Sequence, residues 1–220
     1  MQDLQATMTS SYSQLRAAIS HLFVAGTETT ATTLRWGLMY MGLYPEIQQK
    51  VHRELDTVLG QGNLPAWSDR EKLPYVEAVI MEIQRMSNLT PLALPHRTTE
   101  DTALRGYFIP KDTIVVPLLW AVQRDKAMFG PSADEFDPDR FLEADGINHK
   151  KYEGFMPFSV GKRFCLGESL ARMELFFLFC GMMARYRFHF GQLPKPSIDD
   201  YYSGVTITPK PFEIIPELRF

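Results

Sequence analysis

Residues 158–167 read Phe-Ser-Val-Gly-Lys-Arg-Phe-Cys-Leu-Gly and run without a break into a strongly apolar stretch of helical character, Glu168–Arg185. This junction constrains the fold more than any other feature of the chain. Glycines at 161 and 167, on either side of Cys165, let the backbone approach a flat ligand closely. The cysteine lies just ahead of a helix N-terminus, where the macrodipole and the free N–H groups favour thiolate over thiol. Arg163 adds positive charge two residues earlier, and a metal bound at sulfur would remove the proton outright. An ordinary free cysteine is a small buried hydrophobe, so the weight of the reading rests on the pattern around this one.

The rest of the chain reads as mainly helical, with short β segments. Residues 1–10 are polar and look like the end of a loop. From residue 12 to about 41 the sequence lacks proline and carries Leu15, Ala18, Ile19, Leu22 and Phe23 near helical spacing. Pro45 opens a second helix, Pro45–Leu59, closed by Gly60 and Gly62. Pro74 marks a third start, and 75–86 is amphipathic. Residues 102–110 and 113–118 have β character around Pro110-Lys111-Asp112, which predicts a hairpin turn there. The Asp-, Pro- and Gly-rich span 129–156 reads as a long structured loop. Glu168–Arg185 is apolar on most sides and is therefore expected to be buried. The tail contains strand-like runs at 205–208 and 212–215. There is no internal repeat, low-complexity segment or linker, so one mixed, mainly helical unit is the simplest arrangement.

Several function classes are excluded at this level. With 23 basic and 26 acidic residues the net charge is -3, which gives no electrostatic case for a nucleic-acid partner. Two cysteines, Cys165 and Cys180, do not make a secreted disulfide scaffold; a reduced intracellular setting fits better. The first 20 residues do not resemble a signal peptide. The longest apolar run, 175–184, is half of the roughly 20 residues a membrane span needs, so the chain as given is expected to carry no anchor. No phosphate-binding Gly-x-x-x-x-Gly-Lys-Ser/Thr loop and no zinc-type ligand spacing occurs.

Four further motifs accompany the cysteine loop. Ala25-Gly26-Thr27-Glu28-Thr29-Thr30 interrupts the first long helix: Gly26 removes a side chain, Thr29 offers a hydroxyl, and Glu28 is an acid able to pass protons through water. Glu82-Ile83-Gln84-Arg85 places an acid and a base three residues apart, which in isolation is an ordinary surface pair. Pro138-Asp139-Arg140-Phe141 and Pro95-His96-Arg97 complete the set. The loop pattern Phe-x-x-Gly-x-Arg-x-Cys-x-Gly resembles the heme-binding loop of the cytochrome P-450 family at every fixed position. The remaining motifs are similar to the family's oxygen-activation helix, Glu-x-x-Arg helix and Pro-Glu-Arg-Phe segment, in the family's order. Asp139 stands where the family usually has Glu. Phrases such as Thr-Leu-Arg-Trp-Gly at 33–37 resemble the animal microsomal branch.

The resemblance implies the C-terminal portion of the family's fold, mainly α with small β-sheets. Residues 1–220 would form part of a single domain whose N-terminal half and membrane anchor lie outside this sequence. It implies a heme b cofactor with Cys165 as axial iron ligand, Phe158, Gly161 and Arg163 in its loop, and His96 and Arg163 on the propionates, with Arg97 the next candidate. Glu28 and Thr29 become the catalytic pair, and Glu82, Arg85 and Arg140 a buried structural network. Ala25, Leu92, Ala93, Leu94 and Val205 become walls for a lipophilic substrate. The activity implied is insertion of one oxygen atom from dioxygen into that substrate, with electrons from NADPH through a reductase and with a small cytochrome as a further partner. The setting implied is the cytoplasmic face of the endoplasmic reticulum membrane, reached through the N-terminal part. Two alternatives stand beside it: a heme-thiolate isomerase acting on hydroperoxides, in which the acid–threonine pair is often altered, and an inactive or regulatory fragment.

Overall fold

The computed structural model describes the backbone of residues 2–220, with side chains from Ser11 onward. Helix α1 spans Gln2–Leu43. The loop expected over residues 1–10 is therefore helical from Gln2 on, and Met1 lies outside the described residues. Gln, Leu, Ala and Met are good helix formers, and no glycine or proline interrupts the segment. Among the described residues, those of α1 buried in the core all lie at or beyond Thr30: Trp36, Met39, Tyr40 and Met41 are nearly inaccessible. The periodic residues Leu15, Ile19, Leu22 and Phe23 lie in the first half of the helix and stand exposed. Helical periodicity located the helix correctly but did not show which half of it is packed.

Helix α2 (Pro45–Leu59) has Pro45 in its first turn and stops at Gly60, whose φ of 80° is the left-handed geometry a side chain resists. It buries Ile47, Gln48, Val51 and Leu55. A 3-10 segment, Trp67–Lys72, precedes α3 (Pro74–Ser87). The carboxylate of Glu54 accepts the Tyr75 and Val76 N–H groups at 3.0 and 2.8 Å, capping α3 from the side of α2. Helix α6 (Glu168–Arg185) completes the core, burying Leu175, Phe176, Phe179, Cys180, Met183 and Ala184. That is one stripe at helical spacing. Leu170 and Leu178 stay about half exposed, so the helix is less enclosed than its composition implied. Helices α1, α3 and α6 meet at Gly37, where a Cβ would lie 3.3 Å from Ile83 and 3.7 Å from Phe179; a larger residue would push the helices apart.

Among the described residues the strands form four two-stranded antiparallel sheets around this core. β1 (His96–Arg97) pairs with β4 (Ile114–Val115), and β2 (Thr102–Leu104) with β3 (Tyr107–Ile109). The hairpin turn therefore falls at Arg105-Gly106, both at positive φ (48° and 85°), and not at Pro110-Lys111-Asp112. The chain does turn at 110–113, with Thr113 N–H bonded to Pro110 carbonyl, but it leaves β3 there to join β1. Short helices α4 (Leu119–Val122) and α5 (Lys126–Phe129) follow. In the tail, β5 (Tyr186–His189) pairs with β8 (Ile215–Leu218), and β6 (Tyr201–Ser203) with β7 (Ile207–Pro209). The architecture is mainly α with small antiparallel sheets, as the sequence led one to expect. No helix among the described residues is long and apolar enough to cross a membrane.

Candidate functional site

The cysteine loop is built from the helix backwards. Gly167 caps α6, its carbonyl accepting from Ala171 N–H at 2.9 Å, and Glu168 N–H reaches back to the Cys165 carbonyl at 3.3 Å. Cys165 N–H in turn donates to the Phe158 carbonyl at 2.9 Å, closing residues 158–165 into a compact loop. Gly161 sits at φ 73°, and a Cβ there would meet nothing within 4 Å. Cys165 is exposed, whereas Cys180 is buried in the core. Burial pushes the Cys180 thiol far above its ordinary range, with Glu77 and Glu54 adding to the effect, so that sulfur is an inert packing group.

On α1, the Thr29 hydroxyl donates to the Ala25 carbonyl at 2.7 Å, and Glu28 accepts from Thr32 at 3.1 Å. The two side chains are thus each engaged along the helix and are not bonded to one another. Thr30 donates to Glu174 of α6 at 3.1 Å, a link across the helices that the sequence reading missed. Its only signal there was a second threonine at the end of the motif. A small cleft is lined by Thr29, Thr30 and Thr33 of α1, Gln84 of α3, Phe158 of the loop and Ala171 of α6. The α1 motif and the cysteine loop, 129 residues apart by numbering (158 minus 29), therefore border the same space.

Glu82, Arg85 and Arg140 come together in the interior. Glu82 Oε2 accepts from Arg85 Nε at 2.7 Å, and its Oε1 accepts from Arg85 Nη2 at 2.8 Å and Arg140 Nε at 3.1 Å. The Glu82 and Arg85 side chains are fully buried, and that of Arg140 is 4% exposed. The two guanidiniums also collect the carbonyls of Gln123, Phe129, Ser132, Ala133 and Glu135. Irregular backbone within 123–141 thereby finds the hydrogen bonds it would otherwise lack. Asp139, between Pro138 and Arg140, pairs at the surface with Lys50 and makes no contact with Glu82 or Arg85.

His96 is half-buried at the start of β1, opposite Val115. Arg97 is exposed and already paired, its Nε bonded to Asp112 at 2.9 Å. Arg163 is exposed in the loop. Of the substrate-wall residues, Ala25, Leu92, Leu94 and Val205 are exposed, and Ala93 is half-buried at a φ of 49°.

These residues fit a heme in kind. Among the described residues one exposed thiol is on offer, and no group of three His, Cys, Asp or Glu side chains able to hold a metal occurs. Such a donor suits a metal that brings its other ligands in a macrocycle. A Cβ at Gly26 would also meet nothing within 4 Å, and Phe164, Leu92, Leu94 and Val205 supply exposed apolar surface.

The family model described as cytochrome P450 matches residues 2–216. Cytochrome P450 2U1 of Bos taurus is 47% identical over 197 residues, covering 90% of this chain and 36% of that protein. Cytochrome P450 2J2 of Homo sapiens is 51% identical over 188 residues, covering 86% and 37%. Cytochrome P450 2C23 of Rattus norvegicus is 46% identical over 196 residues, covering 89% and 39%. The chain belongs to the cytochrome P450 family. It spans between 36% and 39% of the length of these three animal relatives.

Proposed function

We propose that this chain supplies the thiolate side and part of the oxygen side of a heme-thiolate monooxygenase acting on a lipophilic substrate. The observation that carries the reading is the common cleft: Thr29 of α1 and Phe158 of the cysteine loop line it together, with Cys165 exposed in that loop. Cys165 would hold the iron, and Arg163 and His96 would take the propionates through charge-assisted hydrogen bonds. Bound there, the heme would supply dioxygen activation, with thiolate donation favouring O–O cleavage as it does in heme-thiolate enzymes generally. The chain's own part lies in protons and positioning. The Thr29 hydroxyl, released from the Ala25 carbonyl, can donate outward from α1, and Glu28 one residue earlier can replenish it through water. Leu92, Ala93, Leu94, Val205 and Ala25 would provide the apolar walls that hold substrate and exclude water. Glu82, Arg85 and Arg140 act at one remove, by fixing the backbone of 123–141. Electrons would come from an NADPH-dependent reductase, with a small cytochrome as a further partner, at the cytoplasmic face of the endoplasmic reticulum.

Replacing Cys165 by Ala in the whole family domain is expected to abolish the thiolate-specific absorption band of the ferrous carbonyl complex. Persistence of that band in Cys165→Ala would remove the ligand assignment and the function with it.

A second reading is favoured by the exposure of the apolar residues named above: the 220-residue chain by itself is a remnant or regulatory product that holds heme poorly. Heme added to the purified chain is expected to wash out on gel filtration. Stoichiometric low-spin heme retained after that step contradicts this second reading and strengthens the first.

A further inference from the structure

The Cys165 amide is held by the carbonyl of Phe158, so the position of the sulfur depends on what holds Phe158. Phe158 is half-buried, and its ring faces a cation: the Arg172 guanidinium lies 5.0 Å from the ring centroid. Arg172 is one helical turn beyond Glu168 on α6, and the two are joined by Arg172 Nε to Glu168 Oε1 at 2.9 Å and by Nη2 at 2.8 Å. Both nitrogens reach the single oxygen Oε1, Nε as a hydrogen bond and Nη2 as an ion-pair contact, which holds the guanidinium beside Glu168. Glu168 is the first residue of α6, and its N–H already contacts the Cys165 carbonyl. A closed circuit results, from Cys165 to Phe158, to Arg172, to Glu168 and back to Cys165.

We propose that Arg172 is a positioning residue for the Cys165 loop: anchored on Glu168, it clamps the Phe158 ring to α6 and so fixes the backbone that presents the sulfur. The consequence for chemistry rests on Cys165 being the iron ligand, but the clamp itself does not. An arginine stacked on a half-exposed ring contributes a modest amount, yet it acts on a loop with few other anchors. The Arg172–Glu168 pair alone would count as an ordinary (i, i+4) surface bridge. Stacking against a residue ten positions upstream of Glu168 (168 minus 158) turns that bridge into a loop clamp.

Amide hydrogen exchange of the full 220-residue chain tests the clamp without heme. In Arg172→Gln the Cys165 amide is expected to exchange about two- to five-fold faster than in the parent, the range a stacked cation is worth. Arg172→Lys, which keeps a cation but not the planar group stacked on the ring, is expected to restore only part of the protection. Phe158→Leu should accelerate the same amide, and adding Arg172→Gln to it should change little further, because both remove one contact. Unchanged exchange in Arg172→Gln, or effects that multiply in the double variant, would overturn the clamp. So would equal acceleration at the buried α3 amides, which marks loosening of the whole molecule. The carbonyl band of Cys165→Ala reports separately on ligation, so either idea can fail alone.

Discussion

Replacing Glu82 by Gln is expected to cost about 3–5 kcal/mol, the usual consequence of removing one partner from a buried ionic network. Set against a typical domain stability of ~5–15 kcal/mol, that is enough to unfold a large share of the molecules. The carboxylate accepts four hydrogen bonds: two from Arg85, one from Arg140 and one from the Asp137 N–H at 2.9 Å. An amide of the same shape keeps one oxygen but turns an NH2 group toward guanidinium donors. Two buried cations then face only carbonyl dipoles. Those carbonyls belong to residues 123–135, so the loss spreads: once the guanidiniums move, the irregular backbone they bridge has no replacement partners. Urea denaturation followed by tryptophan fluorescence measures the effect. A loss below about 1 kcal/mol, the size of an exposed pair, would mean that the network is not the support its burial implies.

The same network shows what can be read from sequence and what cannot. An isolated Glu-x-x-Arg spacing is a surface pair in most proteins, and only the resemblance joined Arg140 to it. The five carbonyls that complete the site come from the end of α5 and from irregular backbone, and a backbone carbonyl carries no residue-type signal at all. Helix ends were legible because proline and glycine act locally: Pro45 and Pro74 set φ at the starts of α2 and α3, and Gly60 permits the positive φ at which α2 stops. The β2–β3 turn was misplaced because Pro-Lys-Asp is also a turn sequence, whereas Arg-Gly supplies two consecutive positive-φ positions. Of the candidate site, the cysteine loop and the α1 motif were legible from their unusual residue pattern. The Thr30–Glu174 link and the Arg172–Phe158 stack were not, because each joins residues that are unremarkable in their own segment.

Gln48 and Gln49 make the limit concrete: spacing puts Gln48 on the apolar stripe with Val51 and Leu55, but residue type gives no sign of what its amide binds, and Gln48→Leu is expected to be severe and Gln49→Leu silent. Gln48 is 2% exposed, and its side-chain amide acts as a piece of backbone. Its Nε2 donates to the carbonyls of Met41 and Phe188, each at 2.8 Å, while its Oε1 accepts the Phe188 N–H at 2.7 Å. Both polar groups of Phe188 are thereby spent on Gln48, away from β8. The residue facing Phe188 across the sheet is Pro216, which has no N–H to give. One side chain thus ties the end of α1 and the edge of β5 to α2. Leucine fills similar volume but leaves three buried backbone groups short of a partner, at about 1–3 kcal/mol each, so a loss of roughly 3 kcal/mol or more is expected for Gln48→Leu. Gln49 is exposed, and its substitution should stay within about 0.5 kcal/mol of the parent. Thermal unfolding of the two single variants side by side decides the matter. Equal midpoints would show that the amide of Gln48 is dispensable and that β5 is held to the helices by apolar packing alone.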